Sequence, residues 1–182
     1  MKRENAQAAK QLTTAKLTPQ GAVISLAEAS LLKKSGYGGV EGDFLTLTRV
    51  ETLYLLDRGK IRVVDEQGKE YSLKELVDFY AKYDKDIWLK HLVYSDLRKR
   101  GYIVKQGFRE EGIEFRVYRK GAEVGKEAAK YLVVGIAEGT ILDVSELQSL
   151  AERAQKAGKE LILAVIDRQG EITYYDVSWT HL

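Results

Sequence analysis

Apolar positions along the chain alternate between a two-residue and a three-to-four-residue spacing, and glycines or polar clusters mark most of the changes. Residues 21–26 (GAVISL) predict a short strand and 27–34 a helix, which the GYGG run at 36–39 ends with a turn. Apolar residues and threonine alternate through 44–48, as in a strand with one buried face. The spacing then shifts over 49–57 to a helix with Val50, Leu53, Leu55 and Leu56 as its buried stripe and Gly59 as its stop. A strand at 61–64 and a polar turn at 66–69 follow. Ser72 caps a helix running to about 83, because Glu75 stands three positions later and completes an S-x-x-E capping box.

The second half opens near 86 with a helix carrying Trp88, Leu89, Leu92, Val93 and Leu97, ended by Gly101. Arg98, Lys99 and Arg100 fill its last turn, where positive charge complements the helix dipole. Strands are predicted at 102–106, 113–118 and 131–136. Asp143 or Ser145 starts a helix over 147–157 that Gly158 stops, and strands at 161–166 and 172–177 flank the loop DRQGE. The pattern is that of an α/β (α+β) protein. It divides into a polar, alanine-rich tail (1–16), a small N-terminal α+β domain (17–85) and a mixed-sheet C-terminal domain (86–182).

Composition narrows the chemistry. With 182 residues and 45% hydrophobic content the chain is long enough to bury a core without staples. It has no cysteine, which excludes a disulfide framework, a zinc ribbon and a cysteine nucleophile. Its two histidines, His91 and His181, are too few for a multi-histidine metal site within one chain, so no metal or cofactor is expected. Residues 1–20 hold no apolar run of signal-peptide length, and no stretch approaches a membrane span, which predicts a cytoplasmic protein with no membrane partner. Abundant Lys, Arg and Glu suit a thermophile.

A net charge of +2 does not announce a polyanionic partner, but its distribution is uneven. Residues 98–120 carry eight basic side chains (Arg98, Lys99, Arg100, Lys105, Arg109, Arg116, Arg119, Lys120) against Glu110, Glu111 and Glu114, a local charge of +5. Such a stripe is the footprint expected of phosphate contact, although a solvated strand edge and helix end carry similar runs. Among eleven tyrosines, most of them suited to core or sheet positions, Tyr118 stands out because it ends a strand and is followed by Arg119, Lys120 and Gly121.

The runs LVYSDLRKRGYIVKQG (92–107), FRVYRKG (115–121), KYLV (130–133) and KELILAVID (159–167) together resemble the archaeal tRNA-intron endonucleases, and RVETLYLLDRGKI (49–61) is similar to that family's N-terminal domain. The resemblance implies metal-independent cleavage of precursor tRNA at a bulge–helix–bulge, leaving a 2′,3′-cyclic phosphate and a 5′-hydroxyl. Such chemistry needs a group to take the proton of the attacking 2′-OH, a donor for the departing 5′-oxygen, and positive charge beside the phosphorane. The family divides these tasks among a tyrosine, a histidine and a lysine, and the histidine is usually assigned as the acid. Tyr118 matches the tyrosine and Lys159 the lysine, while the histidine's position is occupied by Ala128. Neither His91 nor His181 stands in its place. Either a catalytic subunit has had its acid replaced, as a deliberate change would do to trap uncleaved substrate, or the chain is a naturally silent structural subunit. Survival of Tyr118 and Lys159 favours the former.

The resemblance further implies an oligomer, as a homo-oligomer or as a heterotetramer with a paralogous subunit, in which an acidic loop docks on a neighbour; Asp167 and Glu171 match that loop, where a plain hairpin turn is the alternative. Arg98, Arg100, Arg116, Arg119 and Lys120 are candidate RNA contacts. Arg153, one position from where the family would place it, and Trp179 are candidates for stacking on a bulge base. A rival reading is a metal-dependent DNA nuclease, with Asp96 and the triplet Glu114-Phe115-Arg116 imitating an E-x-K site. Arginine there takes the place of the lysine that reading needs.

Overall fold

The computed structural model describes residues 12–108 and 112–179. Within them the chain forms two five-stranded sheets and five helices. Strands β1 (Thr13–Thr18), β2 (Gly21–Ser25), β3 (Gly39–Glu41), β4 (Phe44–Thr48) and β5 (Ile61–Val64) build the first sheet, in the order β3-β4-β2-β1-β5. All its pairs are antiparallel except β1 with β5, where Thr13 lies opposite Ile61. Gly21 opens β2 where a Cβ atom would fall 1.9 Å from the Leu47 carbonyl oxygen, so only glycine fits that crossing. Its own carbonyl accepts the buried Tyr80 hydroxyl at 2.6 Å, which ties helix α3 (Leu73–Ala81) to the sheet.

Helix α2 (Arg49–Asp57) is buried nearly all round, from Val50 through Leu55, because sheet, α3 and α4 (Ile87–Lys99) all pack against it. The expected stripe is therefore corrected: Glu51 and Thr52 are inside and Leu56 is only partly buried. Both predicted capping geometries exist at α3, where the Ser72 hydroxyl receives the Glu75 N–H and the Glu75 carboxylate receives the Ser72 N–H. The same box, unread in the sequence, starts α2 at Thr48 and Glu51. Three further expectations shift. Residues 13–16 belong to β1 rather than to a tail, because their backbone pairs with β2 and β5, while residues 1–11 lie outside the described residues. Helix α1 is only Ser30–Lys34, and the glycine run feeds β3. Of the apolar residues expected along α4, Val93 and Leu97 are buried, as are Ile87 and Tyr94, whereas Trp88 is 47% exposed.

The second sheet has the order β10-β9-β8-β7-β6, from β6 (Ile103–Gln106), β7 (Phe115–Tyr118), β8 (Tyr131–Ala137), β9 (Glu160–Ile166) and β10 (Ile172–Val177). It is mixed, as predicted: β8 and β9 are parallel, joined by helix α5 (Val144–Lys156), and the other pairs are antiparallel. Alternation assigns the faces. Phe115, Val117, Val133, Ala164 and Ile166 join α4 in one core cluster, and Leu132 and Leu161 pack with Leu150, Ala151 and Ala154 of α5. The predicted boundary at 85/86 falls between α3 and α4, and the buried core runs across it, with Leu53 and Tyr54 clustered with Val93 and Tyr94.

Candidate active site at one end of the second sheet

Strand direction brings separated parts of the sequence together. β7 ends at Tyr118, opposite the start of β6 at Ile103. Val117 pairs with Tyr131 at the start of β8, and Tyr131 pairs with Glu160 at the start of β9. Tyr118, the 119–130 loop and Lys159 therefore gather at one end of the sheet. Lys159 is set there by the turn that closes α5. Gly158, at φ +66, takes the left-handed conformation past the helix end, and the Lys159 N–H returns to the Ala154 carbonyl at 2.9 Å. The side chain of Lys159 then reaches back to the Ala129 carbonyl at 3.2 Å.

A cavity of about 360 Å³ opens at this end, walled by Arg119, Glu127, Ala128, Ala129, Lys130, Ala157, Gly158 and Lys159. Four of the eight wall residues are alanine or glycine, so the space is set by missing side chains. Tyr118 is 6% exposed and packs with Ala122 and Ala129, which places its ring beside the cavity through the shared Ala129. Ala128 is exposed. Lys130 pairs with Glu160 at 3.0 Å, and hydrogen bonds to Tyr131 and Glu160 raise its pKa and keep it charged. Arg119 and Lys159 are thus accompanied by a third fixed cation, with Glu127 as the carboxylate in the wall. Sequence reasoning missed Glu127 and Lys130 as neighbours of the site, although both lie within or beside the KYLV run.

Other candidates fall at varying distances. Lys120 is exposed at the same end, its ammonium 5.2 Å from the Tyr102 ring centroid. Arg100 closes α4 there too, bonded to Asp96 at 2.7 Å and lying over Tyr174. Arg153 is exposed on α5 and donates to the Ser149 carbonyl, while Trp179 packs against the α5-facing core cluster. Arg116 lies further along the sheet, opposite Lys105, bonded to the Gln106 carbonyl and stacked over Phe108. Arg98 faces the first half of the chain: it donates to the Ser35 carbonyl at 2.9 Å and stacks over Tyr37 at 4.0 Å. Arg109, Glu110, Glu111 and His181 lie outside the described residues.

Asp167 and Glu171 sit at the opposite end of the sheet, roughly 25 Å along β9 from Lys159. Asp167 shapes its own turn by accepting the Gln169 and Glu171 N–H groups at 2.8 and 2.9 Å. Glu171 is exposed. His91 is 3% exposed, stacked on Trp88, and burial lowers its pKa. The residues of the rival nuclease reading do not converge: Asp96 is engaged by Arg100 and Tyr174, and Glu114 pairs with Lys90, about 9 Å back along α4. Among the described residues no three His, Cys, Asp or Glu side chains are placed to hold a metal ion. No helix among them is long and apolar enough to cross a membrane.

Comparison with known sequences gives a consistent result. The family described as tRNA intron endonuclease, catalytic C-terminal domain, matches residues 87–174, and the tRNA intron endonuclease N-terminal domain matches 16–77. The chain is 41% identical over 145 residues to the tRNA-splicing endonuclease of Pyrococcus furiosus, covering 80% of this chain and 82% of that protein. Identity to the tRNA-splicing endonuclease of Methanothermobacter thermautotrophicus is 38% over 146 residues, or 80% and 84% of the two chains. The corresponding Methanococcus vannielii protein is 33% identical over 174 residues, 95% of this chain and 97% of its own length.

Proposed function

The chain belongs to the tRNA intron endonuclease family, and we propose that it is a catalytic-type subunit that recognises precursor tRNA at bulge–helix–bulge sites and is impaired by Ala128. The observation that carries this reading is the meeting of Tyr118, Ala128 and Lys159 around one end of the second sheet, from three separate stretches of sequence.

In this reading the substrate's 2′-OH attacks the adjacent phosphorus, forming the 2′,3′-cyclic phosphate as the bond to the 5′-oxygen breaks. Lys159, with Arg119 beside it, supplies positive charge to the phosphorane, where a fixed charge in a partly enclosed site acts without reorganising. Tyr118 places its hydroxyl beside the attacking oxygen. At position 128 a methyl group stands where a proton donor to the leaving oxygen is needed, and loss of such a group costs on the order of 10²–10⁴ in rate. Lys120, Arg100, Arg116 and Arg153 extend the cationic surface along the backbone of a bound RNA, and Trp179 offers a stacking surface beside α5. The subunit acts in an oligomer, homomeric or paired with a paralogous subunit, with the Asp167–Glu171 turn as its docking loop and the cytoplasm as its compartment.

The test is cleavage of a bulge–helix–bulge RNA in EDTA, comparing the chain with Ala128→His at neutral pH. The expected result is strong cleavage only by the variant, giving cyclic-phosphate and 5′-hydroxyl ends. If neither protein cuts, the chain is a structural subunit and the catalytic assignment falls.

A further inference from the structure

Beside the position that lacks a proton donor stands a carboxyl group that the family reading leaves unused. Glu127 immediately precedes Ala128 and lines the same cavity as Arg119, Lys130 and Lys159. It is exposed, and one of its carboxylate oxygens accepts the Glu123 N–H over a long 3.3 Å. A short bridge between Val124 and Glu127 fixes the backbone of the loop that presents it. The nearby charges have other engagements: Lys126 pairs with Glu123 at 2.6 Å, Lys130 with Glu160, and Lys159 with the Ala129 carbonyl.

We propose that Glu127 is the proton donor to the leaving 5′-oxygen in this chain, so that the enzyme, given that the family reading above holds, is an acid-dependent nuclease. Among the side chains walling the cavity, arginine and lysine hold their protons far above neutral pH, whereas a carboxyl group exchanges one in the acid range. The small side chains of Ala128, Ala129 and Ala157 leave room for the carboxyl group to approach the reacting phosphate. The step balances. The 2′-oxygen bonds to phosphorus while its proton passes by way of the Tyr118 hydroxyl to water. The bond from phosphorus to the 5′-oxygen breaks, and the Glu127 carboxyl proton moves to that oxygen. Solvent then reprotonates the carboxylate.

Arg119 from the end of β7, Lys130 from the start of β8 and Lys159 from the turn before β9 line the cavity with Glu127, and Glu160, Glu123 and Lys126 are the paired charges nearby.

The experiment is single-turnover cleavage of a bulge–helix–bulge RNA in EDTA from pH 4.5 to 7.5, with folding followed by circular dichroism. The proteins are the chain, Glu127→Gln, Ala128→His, and the double variant Ala128→His/Glu127→Gln. Glu127→Gln keeps a carbonyl oxygen for the Glu123 N–H and removes only the titrating group. The expected result is a rate that climbs as pH falls for the parent and is about 10²-fold lower and flat in Glu127→Gln. Both Ala128→His proteins should cut at neutral pH, with a limb in the imidazole range. An equal rate in parent and Glu127→Gln overturns the proposal, and so does a parent that never cuts while Ala128→His does; the family reading survives both results. Failure of all four proteins to cut overturns that reading as well.

Discussion

At the junction of the two halves, Glu51 is 2% exposed and fully engaged. Its carboxylate receives the N–H groups of Gly38 and Thr48, both at 2.9 Å, and faces the Lys105 ammonium at 3.7 Å. Lys105 also donates to the Gly38 carbonyl at 2.7 Å, while burial presses its pKa down. Arg98 completes the junction through Ser35 and Tyr37. At the end of the second sheet the charges are of similar kind but line an open cavity, with Lys130 paired to Glu160 and Lys159 bonded to the Ala129 carbonyl. The difference is one of purpose. A buried charge must be matched where it sits, and its partners then fix how two sheets and α4 meet. A charge proposed to meet a phosphate stands instead beside open space.

The sharpest way to break this comparison is to remove one group from each region. In the Ala128→His protein, Tyr118→Phe or Lys159→Ala should cut the cleavage rate on the order of 10²–10⁴-fold while leaving the melting temperature close to that of its parent. Retained cleavage in both would remove the site from this end of the sheet. Glu51→Gln should do the reverse, lowering unfolding stability by about 3–5 kcal/mol in urea titration, because Lys105 then keeps its charge in a buried place without an anion. Adding Lys105→Met should recover much of that loss. If the single change is silent, the junction is wetter and less constraining than its geometry says.

These two regions were unequally legible in the sequence. Tyr118, Lys159 and position 128 were marked by the family resemblance, and strand order brings them to one end of the sheet, with the parallel β8–β9 pair setting Lys159 beside the start of β8. The junction was hidden because nothing local distinguishes a buried Glu51 from a surface one. Its signal is the T-x-x-E spacing from Thr48, the same device as at Ser72, masked by the apolar residues around it in α2. The place of Arg98 was hidden for a related reason. It belongs by sequence to a basic run, and only the packing of α4 against the first half turns it toward Tyr37. Glu127 went unread since an exposed glutamate in a loop carries no pattern at all; the cavity it lines is formed by residues some thirty positions apart.

A smaller effect links the regions. Gly158→Ala places a side chain at φ +66 and should cost about 1–2 kcal/mol of stability. Because the same turn delivers Lys159, the cleavage rate of the Ala128→His protein should fall more than stability alone explains. Equal rates with and without the change would mean that Lys159 reaches its place independently of the turn.

The smallest effect concerns the exposed counterpart of the Glu51 cap. At α3 the Glu75 carboxylate accepts the Ser72 N–H and hydroxyl and pairs with Lys69 at 3.0 Å. The Ser72 backbone bond first, then Lys69, lower its pKa from 4.5 to about 2. A carboxyl group held lower in the folded than in the unfolded chain stabilises the fold above its unfolded pKa, and that contribution disappears as pH falls through the folded value. The gap in melting temperature between the protein and Glu75→Gln should therefore be constant above about pH 5 and close as pH approaches 2. A gap that stays open at pH 2 would show that the box works through neutral hydrogen bonds. Its exposed setting would then differ from the junction in solvent access alone, and not in how charge is used.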